Sequence, residues 1–334
     1  MRAPGFWRDD CAAARVLSPL GALYGGVALR RLAREAPRAN LPTIVVGGLT
    51  AGGDGKTPLA IEVAQRLRAI GERPTILTRG YGRKRSVAFP LAVDLDRHDA
   101  DDVGDEALLL ARVAPTIVGA DRIASAAVAE RLGASVIVLD DCFHSRRLAS
   151  DLTLIAIDSD YGAGNGRCMP AGPLRAPLDA QLAKADMLIV IGDGARGRDI
   201  AARAKKPIVA AHLVPDPDAA EALRGARIVA FAGVARPEKF FDSLEKCGAI
   251  VAARLSFDDH RRFTEQDYAT LSALRQRLSA RLVTTEKDAV RIGDEIATLG
   301  LDTLPVTLDI DDAVALDDAL GRLQRAKEAR RANP

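Results

Sequence analysis

Lysine and threonine directly after a run of glycines, Gly52-Gly53-Asp54-Gly55-Lys56-Thr57, are the strongest chemical signal in this 334-residue chain. Glycines let successive backbone N–H groups turn inward on phosphate oxygens, and a helix starting at the same point adds the positive end of its dipole. In such a loop Lys56 reaches the β- and γ-phosphates of ATP, and the Thr57 hydroxyl ligates Mg²⁺. The nucleotide-binding stretch is therefore Thr50, Ala51, Gly52, Gly53, Asp54, Gly55, Lys56 and Thr57. Two positions depart from the general pattern. Thr50 stands where a glycine six residues before the lysine is usual, and Asp54 puts a carboxylate where phosphates would repel it.

A phosphate loop needs an acid at the end of a neighbouring strand. Ser135-Val-Ile-Val-Leu-Asp140-Asp141 supplies two, delivered by four apolar residues to the edge where open α/β sheets collect ligands. Asp140 is the acid expected on the metal side. A second acidic run, Asp101-Asp-Val-Gly-Asp105-Glu106, opens a helix, where acids can also serve as caps that complement the dipole. Of the four histidines, His144 reads as exposed, and His260 lies in the polar run Asp258-Asp-His-Arg-Arg262. The four cysteines, Cys11, Cys142, Cys168 and Cys247, have no metal-ligand spacing and read as reduced thiols.

These residues must be held by a layered frame. Thr43–Gly48 is a continuous apolar, β-rich run, and Thr57–Ile70 carries Leu59, Val63, Leu67 and Ile70 on one helical stripe. Strands are expected at 74–78, 116–118, 135–140, 152–158, 187–192 and 207–213, mostly separated by helical patterns. That alternation predicts an α/β fold with a parallel sheet covered on both faces. Val214-Pro-Asp-Pro-Asp218 marks a boundary, after which strands and helices alternate again up to a strand at 305–310 and a last helix. The expected division is residues 1–214 and a smaller α/β domain at 219–330. A basic carboxyl tail reads as solvated.

Apolar residues make up 48% of the chain, enough for packed cores, and the net charge of +2 gives no general attraction to nucleic acid. The charge is concentrated at the start: residues 1–40 hold seven arginines against three acids. Among them lies the apolar stretch Val16 to Leu29, closed by Arg30, Arg31 and Arg34. At 14 residues this stretch falls short of the roughly 20 needed to span a bilayer, which leaves a core helix or an interfacial helix on an anionic membrane surface.

Taken together, the motifs resemble one family. Gly47-Gly-Leu-Thr-Ala-Gly-Gly-Asp-Gly-Lys-Thr-Pro58, Thr78-Arg-Gly-Tyr-Gly82, Asp102-Val-Gly-Asp-Glu106 and Asp140-Asp-Cys-Phe143 are similar to motifs of the tetraacyldisaccharide 4'-kinases, the lipid A 4'-kinases. So are Gly164-Asn-Gly166, Pro170-Ala-Gly-Pro-Leu-Arg175, Phe231-Ala-Gly233, Arg236-Pro237, Asp259-His260, Phe263-Thr264 and Thr285-Glu-Lys-Asp-Ala289, in the family's order from about Pro4 to Val290. That family also has threonine at the position of Thr50. The resemblance implies two Rossmann-like α/β/α domains, the first of P-loop NTPase type, with the active site in the cleft and an amino-terminal membrane-associating helix that also binds acyl chains. It implies transfer of the γ-phosphate of ATP, with Mg²⁺, to the 4'-hydroxyl of tetraacyldisaccharide 1-phosphate, giving lipid IVA, by a peripheral protein on the cytoplasmic face of the bacterial inner membrane.

By the same resemblance, Asp105 matches the catalytic acid, assisted by His260, while Glu106, Asp140 and Asp141 match acids around metal and phosphates. Three departures stand out. Gly48 replaces the family's usual asparagine, Asp54 replaces a small neutral residue, and Cys142 replaces a glycine, which would be strained by about 1–2 kcal/mol if that position needs positive φ. Arg79, Arg146 and Arg175 are candidates to meet phosphates. Two other readings fit a phosphate loop beside a basic apolar segment: a membrane-associated ATPase switch, and a catalytically weakened paralogue. The motifs carry no statement about oligomeric state.

Overall fold

The computed structural model describes residues 4–85, 90–293 and 295–332. A 3-10 turn at Gly5–Trp7 leads into helix α1, Ala12–Leu32. This helix is longer than the apolar stretch alone suggests, and by length and composition it is long enough to cross a membrane. Its two faces differ. Ala14, Gly21, Gly25, Ala28 and Leu32 are buried, with Gly21 and Gly25 set so closely on Cys168 that side chains there would collide with it. Val16, Leu20, Leu23 and Val27 face outward, Val16 and Leu23 at 78% and 70% exposure.

After β1, Thr43–Gly48, come α2 (Lys56–Ala69), β2 (Pro74–Thr78), the short β3 (Leu91–Ala92), α3 (Ala100–Val103), α4 (Asp105–Ala111), β4 (Thr116–Val118), α5 (Arg122–Arg131) and β5 (Val136–Asp140). The chain continues through β6 (Leu152–Asp158), α6 (Leu178–Lys184), β7 (Met187–Ile191), α7 (Ala195–Arg203) and β8 (Ile208–Pro215). β1, β2, β4, β5, β6 and β7 are buried at every residue, as strands covered on both faces must be. One face packs on apolar residues of α2 and α4, the other on those of α1, α5, α6 and α7. β1 lies between β5 and β6, both parallel to it, so its carboxyl end opens into a crevice flanked by the ends of two neighbours.

The chain then leaves this sheet. Pro217 starts α8 (Pro217–Leu223) at a position that tolerates proline, with the Asp216 carboxylate capping Ala219 N–H at 2.9 Å. There follow β9 (Arg227–Ala232), α9 (Pro237–Lys246), β10 (Ile250–Ser256), α10 (Glu265–Leu278), β11 (Arg281–Thr284), α11 (Glu286–Ile292), α12 (Glu295–Leu299) and β12 (Leu301–Thr303). The four strands form a separate parallel sheet in the order β10-β9-β11-β12.

The final strand corrects an expectation. β13, Val306–Ile310, does not extend the small sheet; it returns to the large one and pairs antiparallel with β8. The order there is β13-β8-β7-β6-β1-β5-β2-β4-β3, parallel except at its two edges, since β3 also runs antiparallel to β4. Leu308 and Ile310 join the core under α2, as do Leu316, Ala319 and Leu320 of α13 (Val314–Ala332). The small unit is thus an excursion between β8 and β13, and the chain crosses between units twice. An alternating apolar pattern marks a strand with one covered face, but not which of two sheet edges it joins. The side chains of the basic carboxyl tail lie outside the described residues.

Candidate active site

The phosphate loop leaves the buried end of β1 and closes on the first turn of α2. Gly52, Gly53 and Gly55 all have positive φ, at 86°, 72° and 86°, a region an L side chain rarely enters. Asp54 does not face the phosphate position. It is buried beneath the loop, where its carboxylate accepts Thr50 N–H at 2.8 Å, meets the Thr50 hydroxyl, and lies 3.3 Å from the Arg236 guanidinium. A side chain at position 48 would run into this carboxylate, so Gly48 and Asp54 form a matched pair and not two separate departures. The loop is also tied to the 170s segment, through Ala51 N–H to Pro173 O at 2.9 Å.

The two acids at the end of β5 have opposite electrostatics. Asp141 sits at φ 50°, so the left-handed position is Asp141 and Cys142 carries no such strain. Arg175 Nη1 donates to both Asp141 oxygens at 2.8 and 3.0 Å, and Lys56 Nζ stands 4.0 Å away. Burial alone would raise the Asp141 pKa, but these cations hold it below the ordinary carboxylate value. Asp140 is pushed up to about 8, first by burial and then by the charges of Glu106 and Asp141. Its Oδ1 is buried without a hydrogen-bond partner among the described residues, and Oδ2 receives only a 3.4 Å contact from the Thr78 hydroxyl.

An orphaned carboxylate oxygen beside an adjoining acid, close to the start of the phosphate helix, fits a divalent cation. Among the described residues no three acid, imidazole or thiol groups gather into a closed cage. That suits Mg²⁺, which keeps much of its shell for phosphate oxygens and water. Asp140, with Glu106 close enough to raise its pKa, is the acid here that would gain a partner from such an ion.

Asp105 and His260, 155 residues apart and on different units, meet directly. His260 Nδ1 lies 3.0 Å from Asp105 Oδ2, and Tyr81 packs edge-on against the imidazole at 4.8 Å. Asp105 begins α4, buried, with Oδ1 accepting Glu106 N–H at 2.9 Å. His260 itself adopts φ 57°, in a loop after β10 that turns it toward the large unit.

Two further cations complete this corner. Arg291 Nε is 3.0 Å from Asp105 Oδ2, and Lys287 Nζ donates to Glu106 Oε1 at 2.9 Å while facing His260 Nε2 at 3.4 Å. An ammonium only donates, so Nε2 accepts and the hydrogen lies on Nδ1, toward Asp105. Burial would raise the Asp105 pKa, but the hydrogen bond from His260 and the Lys287 and Arg291 cations lower it, so Asp105 stays ionised. Burial alone would weaken the Lys287 cation; Glu106, Asp105 and Asp259 reverse that and raise its pKa.

Sequence reasoning assigned no role to Lys287, Arg291 or Arg236. Lys287 lies inside Thr285-Glu-Lys-Asp-Ala289, so the motif was visible, but Arg291 follows it as an unremarkable helix residue. Of the three candidate arginines, Arg175 pairs with Asp141, and the Arg146 guanidinium donates to Arg34 O at 3.4 Å. His144 is not an exposed histidine: Nε2 is 2.7 Å from buried Gln181 Oε1, and burial lowers its pKa to about 4. Cys142 is buried against Arg122, whose Nε donates to Sγ at 3.1 Å, and burial raises the thiol to about 11.

The chain was compared with known proteins. A family model described as tetraacyldisaccharide-1-P 4'-kinase matches residues 13–324. A tetraacyldisaccharide 4'-kinase of Paramagnetospirillum magneticum is 49% identical over 97% of this chain and 99% of its own length. One from Nitrobacter winogradskyi is 47% identical over 95% and 96%. A crystal structure of LpxK from Aquifex aeolicus in complex with ATP superposes with a TM-score of 0.70, covering 93% of this chain and 99% of that one; at 24% identity it speaks to the fold.

Proposed function

The chain belongs to the tetraacyldisaccharide-1-P 4'-kinase family, and on that premise we propose that it moves the γ-phosphate of ATP to the 4'-hydroxyl of tetraacyldisaccharide 1-phosphate. The observation that carries this reading is the 3.0 Å contact between His260 Nδ1 and Asp105 Oδ2, made across the cleft beside the phosphate loop. A sugar hydroxyl must lose its proton as it attacks phosphorus. An isolated aspartate is a weak base at neutral pH; here the His260 Nδ1–H holds the Asp105 carboxylate in place, and the hydroxyl's proton passes to a carboxylate oxygen of Asp105. Lys56 and the loop N–H groups bind and orient the phosphates, and Asp141 with Arg175 fixes where Lys56 lies. Asp140, Thr57 and Glu106 are the proposed Mg²⁺ residues; the ion would neutralise phosphate charge as it builds up in transfer.

Closure of the small unit on the large one brings His260 to Asp105, so chemistry would wait for both substrates. A nucleotide switch has no need of such a second group. The weakened-paralogue reading rested on Asp54 and Cys142, and neither disturbs the loop. For membrane attachment, Val16, Leu20 and Leu23 of α1 offer an apolar face beside Arg30 and Arg31, while the opposite face is packed on the protein. That division favours a helix lying in the interface of an anionic membrane over one that spans it. The test is direct: purified protein with labelled ATP, Mg²⁺ and the tetraacyl disaccharide should yield labelled lipid. ATP turnover indifferent to the lipid would instead support the switch.

A further inference from the structure

Asp54 and Asp158 are both buried in the large unit, and the cation they share comes from the small one. Arg236 precedes α9 and reaches across the cleft. Its guanidinium pairs with Asp158 at the end of β6, lies 3.3 Å from Asp54 Oδ1, donates to Gly52 O at 3.3 Å, and stacks on the Tyr161 ring at 4.0 Å. Lys239, one turn along α9, adds a second ion pair to Asp158 at 2.6 Å. The side chain runs along the loop itself: a Cβ at Gly53 would lie 3.0 Å from Arg236 Nε, and one at Gly52 would lie 3.2 Å from Ala235.

We propose that Arg236 is a positioning residue that couples closure of the small unit to the nucleotide-ready form of the phosphate loop. Asp54 places a negative charge directly beneath a loop built for a polyphosphate. With Arg236 docked, that charge is compensated and Asp54 can use its oxygens to brace Thr50. With the small unit swung away, Asp54 and Asp158 would be buried without their guanidinium, a costly state that a buried carboxylate avoids by drawing in water or shifting its backbone. ATP binding and closure therefore favour each other through one side chain. The coupling to the loop depends on Asp54, because a neutral residue there would leave no charge beneath the loop for Arg236 to compensate, and only its pairing with Asp158 would remain.

This inference rests on the loop being the ATP site, and the experiment separates the two. ATP affinity is measured for the full chain and for Arg236→Gln, Asp54→Asn and the double variant. Hydrogen exchange of residues 50–57 is followed alongside, and the KM values for ATP and acceptor are compared. Arg236→Gln should weaken ATP about tenfold to a hundredfold and speed exchange in the loop, while the acceptor KM stays near its original value. Asp54→Asn can still accept the Thr50 N–H through its amide oxygen and removes the charge, so the double variant should regain most of the lost affinity. Unchanged ATP affinity in Arg236→Gln, or losses that simply multiply in the double variant, would overturn the coupling. Should Arg236→Gln fail to fold, Arg236→Lys keeps one charge without the fork, and a loss of about threefold or more, relieved by Asp54→Asn, is then expected; an unaltered affinity overturns it equally. An original chain that does not bind ATP would defeat the loop assignment itself, and the coupling with it.

Discussion

Residues 50–57, the phosphate-loop side of the cleft, are one uninterrupted stretch shaped by its glycines and Asp54, whereas the opposite cluster is gathered from Asp105 and Glu106, His260, and Lys287 and Arg291. The first half is local: its strand, its turn and its helix follow each other in the chain. The second exists only when the loop after β10 and the start of α11 are brought against α4. The loop's fold is local, and only the charge that compensates Asp54, Arg236, comes from across the cleft. The proposed proton-accepting pair, divided between two units, could not act until they meet.

The largest expected effect tests the divided half. Asp105→Ala and His260→Ala should each lower turnover about 10²–10⁴-fold, and the double variant should be little worse than the poorer single one. Asp105→Ala also removes one of the two carboxylates that buried Arg291 meets, leaving Asp288, so Asp105→Asn, closer in shape, is the companion that separates lost chemistry from lost fold. Turnover losses that multiply fully would show the two residues working independently, and the contrast between a local and a shared half would collapse.

Lys56→Ala should cost about 10²–10³ in turnover, with the thermal melt unchanged, because the residue stabilises developing charge and carries little of the core. A folded variant with near-normal turnover would remove the loop from the chemistry.

A smaller effect concerns how the acceptor arrives. The protein should float with vesicles containing anionic lipid, less so in high salt, and deletion of residues 1–30 should release it. Leu20→Asp with Leu23→Asp should do the same without unfolding, since both side chains face outward. Equal flotation after either change would place the anchor elsewhere.

The smallest effect is a slope. Because the folded chain holds His144 near pKa 4 against an ordinary 6.5, the unfolded chain takes up a proton between those values that the folded chain refuses. Stability should therefore fall as pH drops from about 6.5 toward 4. Denaturant titrations of His144→Gln should show a flatter dependence in that window, and an identical slope would mean that His144 protonates freely in the fold.

Much of the frame was legible in the order of residues, because its signals are local. A short, β-branched apolar run such as Thr43–Gly48 reads as a strand buried on both faces, and glycines before Lys56-Thr57 read as a tight turn into a helix, and the fold has both. The ordered motifs likewise pointed to Asp105, Asp140, Asp141 and His260. What the order of residues could not carry was partnership. Asp54 looked like a liability until its carboxylate was seen turned under the loop toward Thr50 and Arg236. β13 looked like the next strand of the small sheet until its pairing with β8 returned it to the large one. Lys287 and Arg291 gain their meaning only from facing Glu106 and Asp105. Strands and turns depend on neighbours in the chain, whereas charge compensation and sheet edges depend on neighbours in space: for Asp54 and Asp105 those come from the far side of a cleft, and for β13 from a strand about 90 residues earlier.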